Sequence, residues 1–158
     1  MLELPSEGQS FPQIRRQNLL YVDKTKYFYP IVTEGGCCFL SRPRRFGKSL
    51  IIGALAELLK GNRELFKGLW IDSSDYDFKK YPVVKLNMVG SCDTKAELLD
   101  SIKTQLDMAA QDNGLSLNEL DIEKDSPPGN ILTKLVSKFY YPERVRVAIL
   151  IDEYDVPI

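Results

Sequence analysis

Apolar residues recur along the chain in short blocks whose spacing changes from one block to the next. The first twenty residues are polar with two prolines and predict a segment wrapped over the surface. Leu19 to Val22 is apolar and β-prone. Asp23 then predicts the N-cap of a helix over Tyr27 to Thr33, which Gly35 and Gly36 end. Cys37 to Leu40 is continuously apolar and predicts a short strand buried on both faces, with Cys37 and Cys38 as small core residues. Leu50, Ala54, Leu55, Leu58 and Leu59 fall at helical spacing, so Ser49 to Lys60 predicts a helix closed by Gly61.

Residues 63–70 predict a further short helix or turn. Pro82 introduces a strand over Val83 to Met88. Thr94 and Glu97 form a capping box, and the helix it starts carries Leu99, Ile102, Leu106 and Ala109 on one face. Gly114 to Gly129 is loop-like, with Pro127 and Pro128 leading into a helix over Asn130 to Tyr140. Phe139, Tyr140 and Tyr141 are expected to pack under the sheet. Val145 to Ile151 is apolar and β-branched and predicts a last strand. Strands alternating with helices predict an α/β domain with a mostly parallel sheet.

Composition narrows the chemistry. The 158 residues suit one domain with a substantial core. A net charge of −1 gives no general electrostatic case for nucleic acid or membrane. The chain has no histidine and three cysteines, two of them adjacent, which leaves no zinc-ligand spacing and no histidine acid–base chemistry. No secretory leader and no membrane-length apolar run are visible, so a reducing cytoplasm is the expected compartment.

The loop SRPRRFGK lies between a predicted buried strand and an amphipathic helix. The Walker A pattern asks for G-x-x-x-x-G-K-[ST] in that setting. Gly47, Lys48 and Ser49 supply its last three places, while Arg42 stands at the first glycine place. Arg44, Arg45, Phe46, Gly47, Lys48, Ser49 and Leu50 are the expected phosphate contacts, through backbone amides at the positive end of the helix. Lys48 would neutralise the β- and γ-phosphates, and the Ser49 hydroxyl would bind magnesium. Pro43 has no amide to donate. Arg42, Arg44 and Arg45 crowd positive charge around the turn.

Val147 to Ile151 followed by Asp152 and Glu153 has the Walker B form, an apolar strand ending in two acids. Asp152 would sit beside the magnesium and its water shell, and Glu153 would polarise the attacking water. Each motif alone has a bland reading: a chance tripeptide at a helix start, or a solvated strand end. Together, in this order and on these elements, they point to ATP and magnesium as ligands.

With both motifs placed, the chain resembles the AAA-ATPase-like family of bacterial proteins. The resemblance rests on YVDKT at 21–25, CFLSRPRRFGKSL at 38–50, ELFKGLWI at 64–71, YPVVKLN at 81–87 and LIDEYDVPI at 150–158. In that family the phosphate loop has the same arginine-for-glycine form. The resemblance implies a P-loop NTPase of the additional-strand class, a mostly parallel three-layer sandwich. Residues 1–36 would be a leading segment and helix, and 37–158 a core running through the second motif. Gly47, Lys48 and Ser49 carry over as phosphate and magnesium contacts, Asp152 as the magnesium-side acid and Glu153 as the catalytic base. Tyr21 to Lys24 sits where related ATPases place a segment near the adenine; a helix cap packed on the sheet explains it equally. Many relatives carry a C-terminal nuclease-like domain of the PD-(D/E)XK type.

The resemblance also implies a C-terminally incomplete domain, because the strand after Walker B that delivers a polar sensor would follow Ile158. The two motif strands are then expected to expose backbone groups on either side of the empty place. Three functions remain open: an ATP-hydrolysing motor or switch domain, a nucleotide-gated module or truncated product that binds ATP without turnover, and a nucleic-acid-binding module using Arg15, Arg16, Arg42, Arg44 and Arg45. The near-neutral charge and the lack of a nucleic-acid-binding motif argue against the third.

Overall fold

A computed structural model describes residues 2–41, 43, 45–88, 94–120, 122 and 126–154, without the side chains of residues 119, 142 and 143. The chain divides into two units, Met1–Lys80 and Tyr81–Ile158.

In the first unit, Ser10 starts helix α1 (Phe11–Arg16), its amide donating to Gln13 Oε1 at 2.8 Å. Phe11 and Ile14 of α1 are fully buried. The expected surface wrap is therefore corrected: six residues are too few to display a helical period, yet one turn buries two apolar side chains. The helix expected over 27–33 is split. A 3₁₀ turn spans Thr25–Tyr27, and α2 (Tyr29–Glu34) starts anew with Pro30 in its first turn, where a missing N–H costs nothing. α3 (Lys48–Leu59) buries Ala54, Leu55, Ala56 and Leu58. Two 3₁₀ turns follow, Arg63–Phe66 and Trp70–Ser73. Phe66 anchors the core, its ring centroid 5.0 Å from Phe11 and 5.9 Å from Phe78.

The strand expected at Cys37 to Leu40 does not form: the segment belongs to no sheet, and Cys37, Cys38, Phe39 and Leu40 are exposed. An apolar extended run becomes a strand only where a ladder partner meets it. Among the described residues none pairs with it in a ladder.

The second unit runs β1 (Val83–Asn87), α4 (Lys95–Asp112), a 3₁₀ turn at Leu117–Leu120 inside the expected loop, α5 (Pro128–Glu143) and β2 (Ala148–Asp152). The capping box forms as expected: Glu97 N–H donates to Thr94 Oγ1 at 3.2 Å, and Thr94 N–H to Glu97 Oε2 at 3.3 Å. β1 and β2 pair in parallel, Val83 opposite Ala148 and Asn87 opposite Asp152. Parallel pairing needs a long crossover, and α4 and α5 supply it. Val84, Leu86, Leu106, Ala109, Ala110, Ile131 and Leu135 form the core between strands and helices. Phe139 packs against it, but Tyr140 and Tyr141 are 42% and 77% exposed, correcting their expected place under the sheet. They lie in the last turn of α5 and stack edge to face on each other.

The architecture is α/β with a parallel sheet of two strands among the described residues, smaller than the expected sandwich. No helix among them is long and apolar enough to cross a membrane.

Candidate functional site

The phosphate-loop residues gather at the start of α3, in the first unit. Arg42 and Arg44 lie outside the described residues. Arg45 has φ 65° and Gly47 φ 74°, ψ 25°, so the turn reverses through two left-handed positions before the helix begins. A Cβ on Gly47 would meet nothing within 4 Å, so glycine is required there by conformation rather than space. Lys48 and Ser49 are the first helical residues, where amide groups have no partner within the helix. The Gly47 carbonyl accepts from Ile51 N–H at 3.0 Å, which fixes the helix start. Phe46 and Ser49 are exposed, while Lys48 and Leu50 are half-buried. Lys48 has no ion-pair partner among the described residues.

The acids gather at the end of β2, in the second unit. The strand starts three residues later than expected, at Ala148, and ends one later, so Asp152 is its last member. Asp152 is 3% exposed and accepts from the Glu153 amide at 3.1 Å. Glu153 has φ 54°, a left-handed turn that takes the chain sharply off the strand. A buried carboxylate with a single backbone donor is costly unless a cation meets it. Carboxylate oxygens of this kind are ligands that magnesium accepts, with water filling its other places. Among the described residues no three cysteine or acidic side chains cluster as a metal cage, and a magnesium site of this kind needs none.

The structure thus keeps Arg45 to Leu50 together at one helix start and Asp152 with Glu153 at one strand end.

Sequence reading missed how much rests on Asp23. Its Oδ1 accepts from the Thr25 amide at 2.8 Å and the Thr25 hydroxyl at 2.7 Å, and its Oδ2 from the Trp70 amide at 2.6 Å. The fully buried Thr25 hydroxyl in turn accepts from Ile71 N–H at 3.1 Å. Partial burial alone would raise the Asp23 pKa. The Trp70 and Thr25 donors, with the Arg15 charge, outweigh it and hold the carboxyl below its ordinary value. The only sequence signal was an Asp two places before a Thr, an Asx-turn pattern. Arg15 is likewise committed, donating to the Leu65 carbonyl at 2.8 Å and the Lys67 carbonyl at 2.6 Å. That use ties its guanidinium to this chain's own backbone.

Residues 5–158 match the family model described as "Predicted AAA-ATPase". Among curated proteins, the chain is 35% identical over 158 residues to an "Uncharacterized protein in vnfD 5'region" of Azotobacter chroococcum mcd 1, covering 99% of this chain and 30% of that protein. The chain thus spans less than a third of the relative's length. No solved structure matches the chain.

Proposed function

The chain belongs to the predicted AAA-ATPase family, and from that premise we propose that it binds ATP through Arg44 to Leu50 and, with magnesium, hydrolyses it. The observation that carries the reading is the start of α3: a left-handed Gly47 followed at once by Lys48 and Ser49 as the first helical residues. Backbone amides at a helix start favour phosphate oxygens, and Lys48, free of ion pairing among the described residues, is available to neutralise them. Ser49 Oγ and Asp152 are the proposed magnesium-side oxygens. Bound magnesium would offset charge on the β- and γ-phosphates. Glu153 is the proposed general base, accepting the proton of the water that attacks the γ-phosphorus as the bond to the leaving oxygen breaks.

In this reading the domain has the P-loop fold of the additional-strand class and works in the cytoplasm. A nuclease-like domain is its proposed companion in a longer protein, supported by family resemblance.

Calorimetric titration with ATP and magnesium tests the binding. Lys48→Ala is expected to weaken it by tenfold or more, about 1.4 kcal/mol, the scale of one charge-assisted contact. Glu153→Gln is expected to abolish phosphate release while ATP still binds. Turnover that survives Glu153→Gln removes Glu153 from the base role. Binding without any phosphate release assigns the chain instead to a nucleotide-gated module.

A further inference from the structure

β1 has one edge against β2 and one away from it. Along a strand, the N–H and C=O of a residue point to one edge, and successive residues alternate. Ala148 N–H donates to the Pro82 carbonyl, and Met88 N–H to the Asp152 carbonyl. These bonds turn residues 82, 84, 86 and 88 toward β2, so Val83, Lys85 and Asn87 face the outer edge.

Two side chains of the α4 region meet that edge. Val83 N–H donates to Asn113 Oδ1 at 3.2 Å, and Asn113 Nδ2 donates back to the Val83 carbonyl at 3.0 Å. Asn87 N–H donates to Gln105 Oε1 at 2.6 Å, and Gln105 Nε2 donates back to the Asn87 carbonyl at 2.9 Å. A primary amide offers the same donor and acceptor as a peptide group. Each side chain therefore fills the place of a residue on a neighbouring strand. The spacing also agrees. Gln105 and Asn113 are separated by about 12 Å of helix rise, and Val83 and Asn87 by about 13 Å of strand. Between the two amides stands Lys85, exposed and charged, the residue type that resists pairing at a sheet edge.

β2 lacks such cover among the described residues. Ile149 and Ile151 turn their backbone groups away from β1 and bond no strand. Their side chains share a face with buried Val84 and Leu86, yet are 43% and 45% exposed.

We propose that Gln105, Asn113 and Lys85 close the outer edge of β1 against strand addition, whether by another segment or by a second copy of the chain. The device is independent of nucleotide binding.

Gln105→Met keeps the side-chain length and removes both amide bonds. Hydrogen exchange at the Asn87 amide is expected to rise about tenfold, while Val84 and Leu86, which face β2, keep their rates. Unchanged exchange at Asn87 overturns the proposal. The combined variant Lys85→Val, Gln105→Met, Asn113→Ala is expected to self-associate more tightly in sedimentation velocity, with new amide protection at residues 83, 85 and 87. A folded combined variant that associates no more than wild type overturns it, as does new protection confined to Ile149 and Ile151. Should the combined variant lose its circular dichroism signal, the exchange rate in Gln105→Met decides the matter.

Discussion

The start of α3 and the end of β2 carry the two halves of the proposed chemistry, and they are held by different means. Lys48 follows an exposed turn whose course is set by backbone conformation, through Arg45 at φ 65° and Gly47 at φ 74°. Asp152 ends a strand that pairs with β1 along its whole length, and it is 3% exposed. One half is preset by dihedral angles, the other by packing and a ladder. The difference sets where each half is vulnerable. Substitutions around the turn should disturb ligand contacts at a smaller cost in stability. Substitutions beneath the strand pair should cost stability first.

The largest effect is expected beneath the strands. Leu106 is fully buried in the cluster that includes Val84, Leu86 and Leu135. Leu106→Ala removes that packing and should destabilise the chain by roughly 2–5 kcal/mol, read as a lower midpoint in urea unfolding. A cost well under 1 kcal/mol would mean that the ladder, rather than packing, holds the acid end.

A pair of glycines in the first unit sharpens the other side. Gly47 and Gly61 have nearly the same φ, 74° and 73°. A Cβ on Gly61 would lie 2.7 Å from the Phe78 carbonyl oxygen, backbone that cannot swing aside, whereas one on Gly47 meets nothing within 4 Å. Gly47→Ala should therefore cost only the left-handed penalty, about 1–2 kcal/mol. Gly61→Ala should add overpacking of about 1–3 kcal/mol. Equal costs in urea would show that the phosphate turn is held by more than its dihedral angles.

Much of this was legible in the sequence where the determinant is local. Gly61 closing α3, Thr94 and Glu97 boxing the start of α4, and the apolar runs of β1 and β2 all act within a few residues. The spacing of Leu50 through Leu59 made the helix itself legible from Ser49, and the structure starts it one residue earlier, at Lys48. What escaped depends on distant partners. The Cys37 to Leu40 run has strand composition, but composition does not supply a ladder. Tyr140 and Tyr141 are apolar enough to bury, but they fall at a helix end past the core. The amides of Gln105 and Asn113 look like ordinary helix-surface residues until β1 is placed beside them. At the candidate site the residue types were legible. The burial of Asp152, the left-handed turn at Glu153 and the commitment of Arg15 to two carbonyls were not.

Asp23 sets the smallest effect and asks whether the first unit relies on conformation alone. Its carboxylate joins residues far apart in sequence, Thr25 on one side and Trp70 on the other. Because those donors favour the charged form, its pKa in the folded chain lies below the ordinary value of 3.8. The sign follows from linkage. A depressed carboxyl pKa contributes stability that is present above the unfolded value and is lost as pH falls through the folded one. Wild type and Asp23→Asn should therefore differ most near neutrality and converge in strong acid, when urea midpoints are compared across that range. Asp23→Ala, which leaves the Trp70 and Thr25 amides without their acceptor, should cost about 1–3 kcal/mol at neutral pH. Because Asp23 is largely solvent-exposed, water can replace part of what it provides, and the lower end of that range is expected. A gap between wild type and Asp23→Asn that stays constant into acid would show that the carboxylate's shape, and not its charge, ties Thr25 to Trp70.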